Sequence, residues 1–370
     1  MPKIKRLHFK DFNPLRFIAF LPIFLFLMSL LLKDDKNFIS IKTHEILTKL
    51  CLNSFDFFFF LSSFLLASLA LREYKYKTKF SLKQFYIRKV LRLIPLLFIA
   101  LLFTFYFHDK IVLFLKFSPL ESLSIKHYLL GVPNYFSILT QEREANIIVI
   151  WMIYMYLQFY FVFGIILKYF KPYLTYISIA LIITGVLSRM YHIYNANDYI
   201  FDTLSYGVPI GIGTLIATYN RTNKDLQNYF KNISKLRIRY YYVIGLLSIF
   251  IIYPIIGNTS LTAFTPIFTS SFFAFIIMEQ TFSKHSIYKL RKLKLLARLG
   301  KTSYGLLVLT PIIGTIIIMA FESLDKGTDS YLHKLIFIVL TFSITWLISD
   351  LCYNSYEKVF NRIKRDFKSV

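Results

Sequence analysis

Residues 16–32 read RFIAFLPIFLFLMSLLL, and this stretch decides the class of fold. Sixteen uncharged and almost entirely apolar residues follow Arg16, and a helix that crosses a membrane needs about 20 such residues. Similar runs recur along the whole chain, which has 370 residues, 56% of them hydrophobic. A soluble domain of this length does not bury that much apolar surface in one core. The sequence therefore predicts a multi-pass membrane protein.

Apolar runs of about 17–25 residues predict an all-α membrane protein with about ten transmembrane helices. A barrel is excluded because the runs are continuously apolar and lack the alternation of membrane strands. The sequence shows no Gly/Ser linker, soluble domain or internal repeat, so residues 1–370 are predicted to form a single domain. The predicted helices lie near 15–32, 50–71, 93–107, 147–167, 173–188, 203–219, 241–257, 263–281, 302–321 and 335–352.

The segments between the predicted helices carry different charge on the two sides of the membrane. With the amino terminus inside, the inner segments hold 33 Lys and Arg against five acidic residues, whereas the outer segments hold 11 basic and 12 acidic residues. Positive residues concentrate on the cytoplasmic side of membrane proteins, so both termini are predicted to be cytoplasmic. The basic residues of the inner segments are expected to contact anionic membrane lipid. They explain the net charge of +24, so no nucleic-acid partner is predicted.

Motifs for metal or nucleotide chemistry do not occur in the sequence. The two cysteines, Cys51 and Cys352, are predicted near opposite faces of the membrane, too far apart to pair. The chain has no Walker or GxGxxG loop, no HExxH and no GxSxG. We therefore expect no metal cofactor.

Residues 81–95, SLKQFYIRKVLRLIP, place four basic side chains against a hydrophobic run. If 81–92 is helical, Phe85, Arg88, Lys89 and Arg92 share one side through i+3 and i+4 spacing. A cationic face beside aromatic surface suits a phosphorylated ligand, which it binds through charge-assisted hydrogen bonds. The alternative is simple anchoring to anionic lipid headgroups. From these residues alone both interpretations stay open.

Six stretches resemble, in chain order, the membrane acyltransferase family that O-acetylates surface polysaccharides, the acyltransferase-3 group. They extend over residues 9–362 and fit the ten-helix plan of that family. The stretches are FNPLRFIAFL, SFDFFFFLSSFLL, FSLKQFYIRKVLRLIP, IWMIYMYLQFYFVF, GKTSYGLLVLTPI and YNSYEKVFNR.

The resemblance implies an integral membrane O-acyltransferase in the bacterial cytoplasmic (inner) membrane. Its donor would be acyl-CoA, with acetyl-CoA expected, and its acceptor a surface polysaccharide or a lipid-linked sugar. The donor-binding residues implied are Arg16, Arg88, Lys89 and Arg92. Snorkelling of the side chain to the membrane surface is the alternative for Arg16.

The chain departs from the family pattern at four polar positions. The family's catalytic His follows the first-helix Arg by eleven positions, and Leu27 stands there. Tyr156 and Leu157 precede Gln158, where a Glu is usual, and Thr310 replaces the His before Pro311. The sixth helix commonly begins with an Arg and an Asp, which TLSYGVPIGIG lacks.

Acyl transfer to a hydroxyl usually needs a base, and His is the common choice at neutral pH. No His falls in the middle of a predicted span, and His192 is expected to be a solvated surface residue. His108, at the outer end of the third predicted helix, is the fallback base. Asp56 lies in the outer part of the second predicted helix. A charged residue within a span often has a functional role, but an Asp near the interface is also explained by solvation or by pairing, and both interpretations stay open.

Three functions remain possible. The first is a divergent membrane O-acyltransferase acting from acyl-CoA on a surface or lipid-linked glycan. The second is a catalytically inactive member of the same fold, serving as a binding, regulatory or transport component of surface-glycan assembly. The third, an unrelated small-solute transporter, fits ten helices but not the ordered series of motifs, and a fold alone does not establish a function.

Overall fold

The computed structural model describes residues 12–32, 41–77, 79–107, 125–140, 145–195, 198–250, 259–323 and 331–366. Within these ranges the regular structure is helical, with no strand. The predicted all-α membrane fold is therefore confirmed. Short 3-10 turns, such as Lys171–Tyr173 and Thr203–Tyr206, connect or begin several of the longer helices.

The helices are numbered here in chain order. The first seven are α1 Asn13–Leu31, α2 Ile41–Lys77, α3 Leu82–Leu102, α4 Ile125–Leu129, α5 Pro133–Thr140, α6 Ala145–Tyr169 and α7 Leu174–Tyr194. The next seven are α8 Gly207–Thr222, α9 Lys224–Asn232, α10 Lys235–Phe250, α11 Thr265–Phe282, α12 Lys294–Lys301, α13 Ser303–Ser323 and α14 Tyr331–Asp366. A π-helical turn, Phe103–Phe107, extends α3.

Eight helices in the described part of the chain are long and apolar enough to cross a membrane. They include or extend α1, α2, α3, α6, α7, α11, α13 and α14. The two other predicted spans correspond to α8 and α10, which have 16 residues each. Because 251–257 lies outside the described residues, the number of ten spans stays a prediction.

The amino-terminal boundary of α3 differs from the prediction. The third span was expected to begin at residue 93, but α3 begins at Leu82, and Ser81 caps it by accepting a hydrogen bond from the backbone N–H of Gln84 at 3.4 Å. A side-chain acceptor at this position satisfies one of the donors that a helix start leaves unpaired. The basic segment thus forms the first turns of a long helix. This is the condition under which its basic residues were predicted to share one side.

Most of the buried hydrophobic core comes from α1, α2 and α6, with smaller contributions from α3 and α8. α2 packs along α8 and α1, α8 packs along α7, and α13 packs along α14. Much of α7 and α14 is exposed and apolar, which suits helices that face lipid.

Close approach of α2 and α8 depends on Gly213. A Cβ there would lie 2.5 Å from the carbonyl oxygen of Phe60 and closer still to the Ser63 hydroxyl. The small side chain of Ser63 on α2 and the absence of a side chain at Gly213 on α8 together let the two helices touch.

Candidate functional site

A cavity of about 360 Å³ lies among α1, α2, α3, α6 and α13. We call it the basic cavity, because Arg16, Lys89 and Arg92 line it together with mostly apolar residues. Its size is within the range of small-molecule binding sites. The structure thus brings three of the four predicted donor-binding residues to one place.

Arg16 enters the basic cavity from the first turns of α1. Pro14 stands at the start of this helix, where its missing N–H costs nothing. The guanidinium donates to Oδ1 of Asn13 at 2.9 Å, and Asn13 lines the same cavity. The backbone of Asn13 is in turn so close to Gly300 on α12 that a Cβ at Gly300 would overlap its carbonyl oxygen. This contact fixes the end of α1 that carries Arg16.

Lys89 and Arg92 enter from α3, one turn apart. The Lys89 ammonium lies over the ring of Tyr160, 4.5 Å from its centre, and Tyr160 is the last residue of the Gln-aromatic-aromatic motif. Arg92 lies close enough to Arg16 for the two positive charges to repel each other. The Tyr304 hydroxyl donates to the backbone carbonyl of Leu93 at 2.8 Å and ties α13 to this part of α3.

Arg88 does not line the basic cavity. Its guanidinium lies 3.9 Å from the carboxylate of Glu73 near the end of α2. Successive residues on a helix point about 100° apart, so Arg88 faces α2 while Lys89 faces the cavity. The structure therefore separates Arg88 from the other three residues of the predicted donor site.

The electrostatics of the basic cavity favour an anion. None of the described residues that line it is acidic, so its positive charges are not balanced by the lining. Two guanidinium groups that repel each other in a largely apolar space are stabilised when a multiply charged anion binds between them. Phosphate and carboxylate oxygens match the fork of Arg in particular.

The family's catalytic His position is far from these cations. Leu27 is 1% exposed and belongs to the core. Eleven residues separate it from Arg16, which is about 16 Å along a helix axis. Thr310, at the second lost His position, is also fully buried and donates to the backbone carbonyl of Leu306 at 2.6 Å.

A buried ion pair joins α2 to α7. The Arg189 guanidinium lies 2.5 Å from Oδ1 of Asp56, and both side chains are about 5% exposed or less. Arg189 also donates to the backbone carbonyl of Ser205 at 2.8 Å and lies over the ring of Tyr199, 5.0 Å from its centre. Asp56 is thus paired and not solvated. Sequence analysis did not single out Arg189, whose partner is 133 positions away.

A second polar cluster surrounds Asp202, one residue before the TLSYG stretch. His192 Nε2 lies 3.4 Å from its Oδ2, and the hydroxyls of Ser188 and Ser205 also donate to this carboxylate. His192 is only 9% exposed, so the expectation of a solvated surface residue was wrong. Arg189 and Asp202 both precede the sixth predicted helix along the chain.

Gln158 connects α6 to the same region. It donates to Oδ1 of Asn134 and to the carbonyl oxygen of Gly131, both at 2.9 Å, and accepts from Thr203 at 2.6 Å. Gly131 has φ of +78°, a conformation that glycine adopts readily. Phe59 separates this region from the basic cavity by stacking at 4.4 Å on both Tyr156 and Tyr206.

The remaining residues of the prediction lie elsewhere. His108, the fallback base, is outside the described residues, so its role stays a prediction. Within the described part of the chain, no group of three or more His, Cys, Asp or Glu is arranged to hold a metal ion.

Comparison with known proteins identifies a family. The model of an acyltransferase family, Acyl_transf_3, described as an acyltransferase domain, matches residues 9–350, which is nearly the whole chain. No curated protein and no solved structure matches the sequence.

Proposed function

Because the chain belongs to the acyltransferase-3 family, we propose that it takes an acyl group from acyl-CoA and transfers it to a glycan at the cell surface or on a lipid carrier. The basic cavity is the proposed donor site. The observation that carries this proposal is the convergence of Arg16, Lys89 and Arg92 on one cavity without an acidic lining residue.

The cavity has the two properties that the donor requires. Coenzyme A is a phosphorylated carrier, and its phosphate oxygens are ligands for Arg and Lys. Its thioester arm is uncharged, and the rest of the cavity is lined mostly by Leu, Ile, Met, Phe and Tyr side chains, with Asn13, Ser62 and Ser303. We propose that the cations hold the phosphates while the arm extends between α2 and α6.

The side from which the donor enters follows from the charge distribution. Arg16 lies at the start of α1, Lys89 and Arg92 near the start of α3, and Ser303 at the start of α13. The three cations belong to basic segments that the positive-inside rule places in the cytoplasm, and Ser303 follows another such segment. We therefore propose that the donor comes from the cytoplasm and that the protein lies in the inner membrane. The proposed acyl group is acetyl.

The proposed reaction balances without a cofactor. The acceptor hydroxyl oxygen bonds to the thioester carbonyl carbon, and the bond from that carbon to sulfur breaks. The acceptor proton ends on the coenzyme A thiol.

The first test is made on cells. Ester-linked acyl groups on envelope glycans are compared by mass spectrometry between a deletion strain and its parent. We expect one glycan to lose its acyl ester in the deletion strain and to regain it from a plasmid copy of the gene. Identical acylation of every glycan would point to the inactive binding component.

The second test separates activity from folding. The plasmid carries Arg92→Ala or, as a matched control on the same helix, Lys83→Ala. Lys83 is exposed and does not line the cavity. We expect Arg92→Ala to abolish acylation at wild-type protein levels and Lys83→Ala to leave it unchanged. Equal acylation by the two variants contradicts the donor site.

A further inference from the structure

A second cavity lies on the other side of α1 and α2. It has a volume of about 500 Å³ and is formed with α10, α11 and residues 287–290. We call it the lipid groove. Its lining is almost entirely apolar, and Ile18 and Leu246 along it are 42% and 48% exposed. A narrow apolar groove at the side of a membrane bundle is suited to one hydrocarbon chain.

One acidic side chain lies in this apolar groove. Glu279, near the end of α11, is 0% exposed and belongs to the lining. Its Oε2 accepts from the Tyr242 hydroxyl at 3.2 Å and from Gln280 at 2.6 Å, whereas its Oε1 has no partner among the described residues. A buried carboxylate with an unpaired oxygen is costly, because its lost hydration is not replaced.

The neighbouring cation, Lys289, forms no salt bridge with the Glu279 carboxylate within the described part of the chain. The ammonium of Lys289 donates to the backbone carbonyl oxygens of Glu279 and Gln280, at 3.2 and 2.7 Å. Sequence analysis would assign such an acid near a helix end to an ion pair with a basic neighbour. Among the residues that the structure describes, the Glu279 carboxylate accepts hydrogen bonds only from the neutral side chains of Tyr242 and Gln280.

We propose that the lipid groove binds a phospholipid with an ethanolamine headgroup. The ammonium of such a lipid supplies both a positive charge and N–H donors, which are the two things that the Glu279 carboxylate lacks. Its phosphate meets the basic segment that follows Glu279, where Lys284 and Lys292 are exposed. One acyl chain fills the groove. This site is separate from the basic cavity and does not depend on the proposed function.

The test uses the full-length protein in detergent after removal of co-purified lipid. Three phospholipids with identical acyl chains and ethanolamine, choline or glycerol headgroups are added in equal amounts, and bound lipid is identified by native mass spectrometry. We expect one retained lipid, with about a tenfold preference for ethanolamine over choline, which has charge but no N–H donor. Equal retention of all three lipids by the wild-type protein overturns the proposal.

Two pairs of variants locate the site. Glu279→Gln should remove the headgroup preference, whereas Asp350→Asn, which changes a carboxylate paired with Arg298 at 2.8 Å, should keep it. Leu246→Trp should fill the groove and abolish the retained lipid, whereas Leu247→Trp, exposed on the same helix but outside the lining, should not. An unchanged preference in Glu279→Gln contradicts the role of Glu279. If Glu279→Gln does not fold, the proposal is still tested by the headgroup preference of the wild-type protein and by lipid retention in Leu246→Trp and Leu247→Trp.

Discussion

Replacing Arg16 or Arg92 with Ala tests the basic cavity directly. A hydrogen bond to a charged group contributes about 1.5–3 kcal/mol, so each replacement should weaken acyl-CoA binding roughly 10- to 100-fold. Both guanidiniums line one cavity and repel each other, so the double variant should lose less than the sum of the single losses. The measurement is isothermal titration calorimetry of the purified protein with acyl-CoA.

Two controls give this experiment its specificity. The same acyl group on pantetheine, which lacks the nucleotide phosphates, should bind equally to wild type and to both variants. Lys83→Ala should bind acyl-CoA like wild type, because Lys83 is exposed on α3 outside the cavity. A change of less than about threefold in both arginine variants, or an equal loss with acyl-pantetheine, refutes phosphate binding by these residues.

The stability of the ligand-free protein should change in the opposite direction. Removing one of two repelling cations relieves an unfavourable interaction, so Arg92→Ala should unfold at the same temperature as wild type or slightly higher. Loss of binding together with retained stability is the pattern of a binding site. Loss of binding together with a lower unfolding temperature indicates that Arg92 is structural.

The other predictions concern the packing that positions the site, and all use thermal unfolding in detergent. Asp56→Leu should cost about 3–5 kcal/mol because it leaves Arg189 buried without its partner, and adding Arg189→Met should recover most of that loss; no recovery argues against the pair. Arg88→Ala should leave acyl-CoA binding unchanged but destabilise by about 1–3 kcal/mol, because the buried Glu73 carboxylate loses its cation, and adding Glu73→Gln should reverse this; a loss of acyl-CoA binding would contradict the separation of Arg88 from the basic cavity. Gly213→Ala should destabilise by about 1–3 kcal/mol, and an unchanged unfolding temperature contradicts the close approach of α2 and α8.

Local patterns in the sequence predicted the fold class and three of the residues that line the basic cavity. Apolar length determines whether a helix can cross a membrane, and that property is visible residue by residue. The i+3 spacing of Lys89 and Arg92 correctly placed both on one side of α3. The same spacing rule also included Arg88 in this group, because spacing along α3 does not show which neighbouring helix each side chain of α3 contacts. Only the packing of α2 beside α3 assigns Arg88 to Glu73.

Pairing between distant helices could not be predicted. Asp56 and Arg189 are 133 positions apart, and the local sequence around either residue does not indicate its partner. The burial of His192 has the same origin, because its partner Asp202 lies beyond the end of α7, across a turn. A charged residue within a span does give a general signal, since it is costly there unless it is paired. Arg189 did not give that signal, because the predicted span ended at residue 188, whereas α7 continues to Tyr194.

The loss of the family's polar positions does not mean that the bundle has lost its buried polarity. Leu27 and Thr310 occupy the positions of two family histidines and are fully packed, yet a carboxylate, a guanidinium and an imidazole are buried together through Asp56, Arg189 and His192. That polar region is separated from the basic cavity by the stacked rings of Phe59 and its neighbours. The described lining of the basic cavity offers cations and tyrosine hydroxyls but no imidazole or carboxylate. The proposed thioester donor suits such a lining, because a thiolate is a better leaving group than the alkoxide of an ordinary oxygen ester.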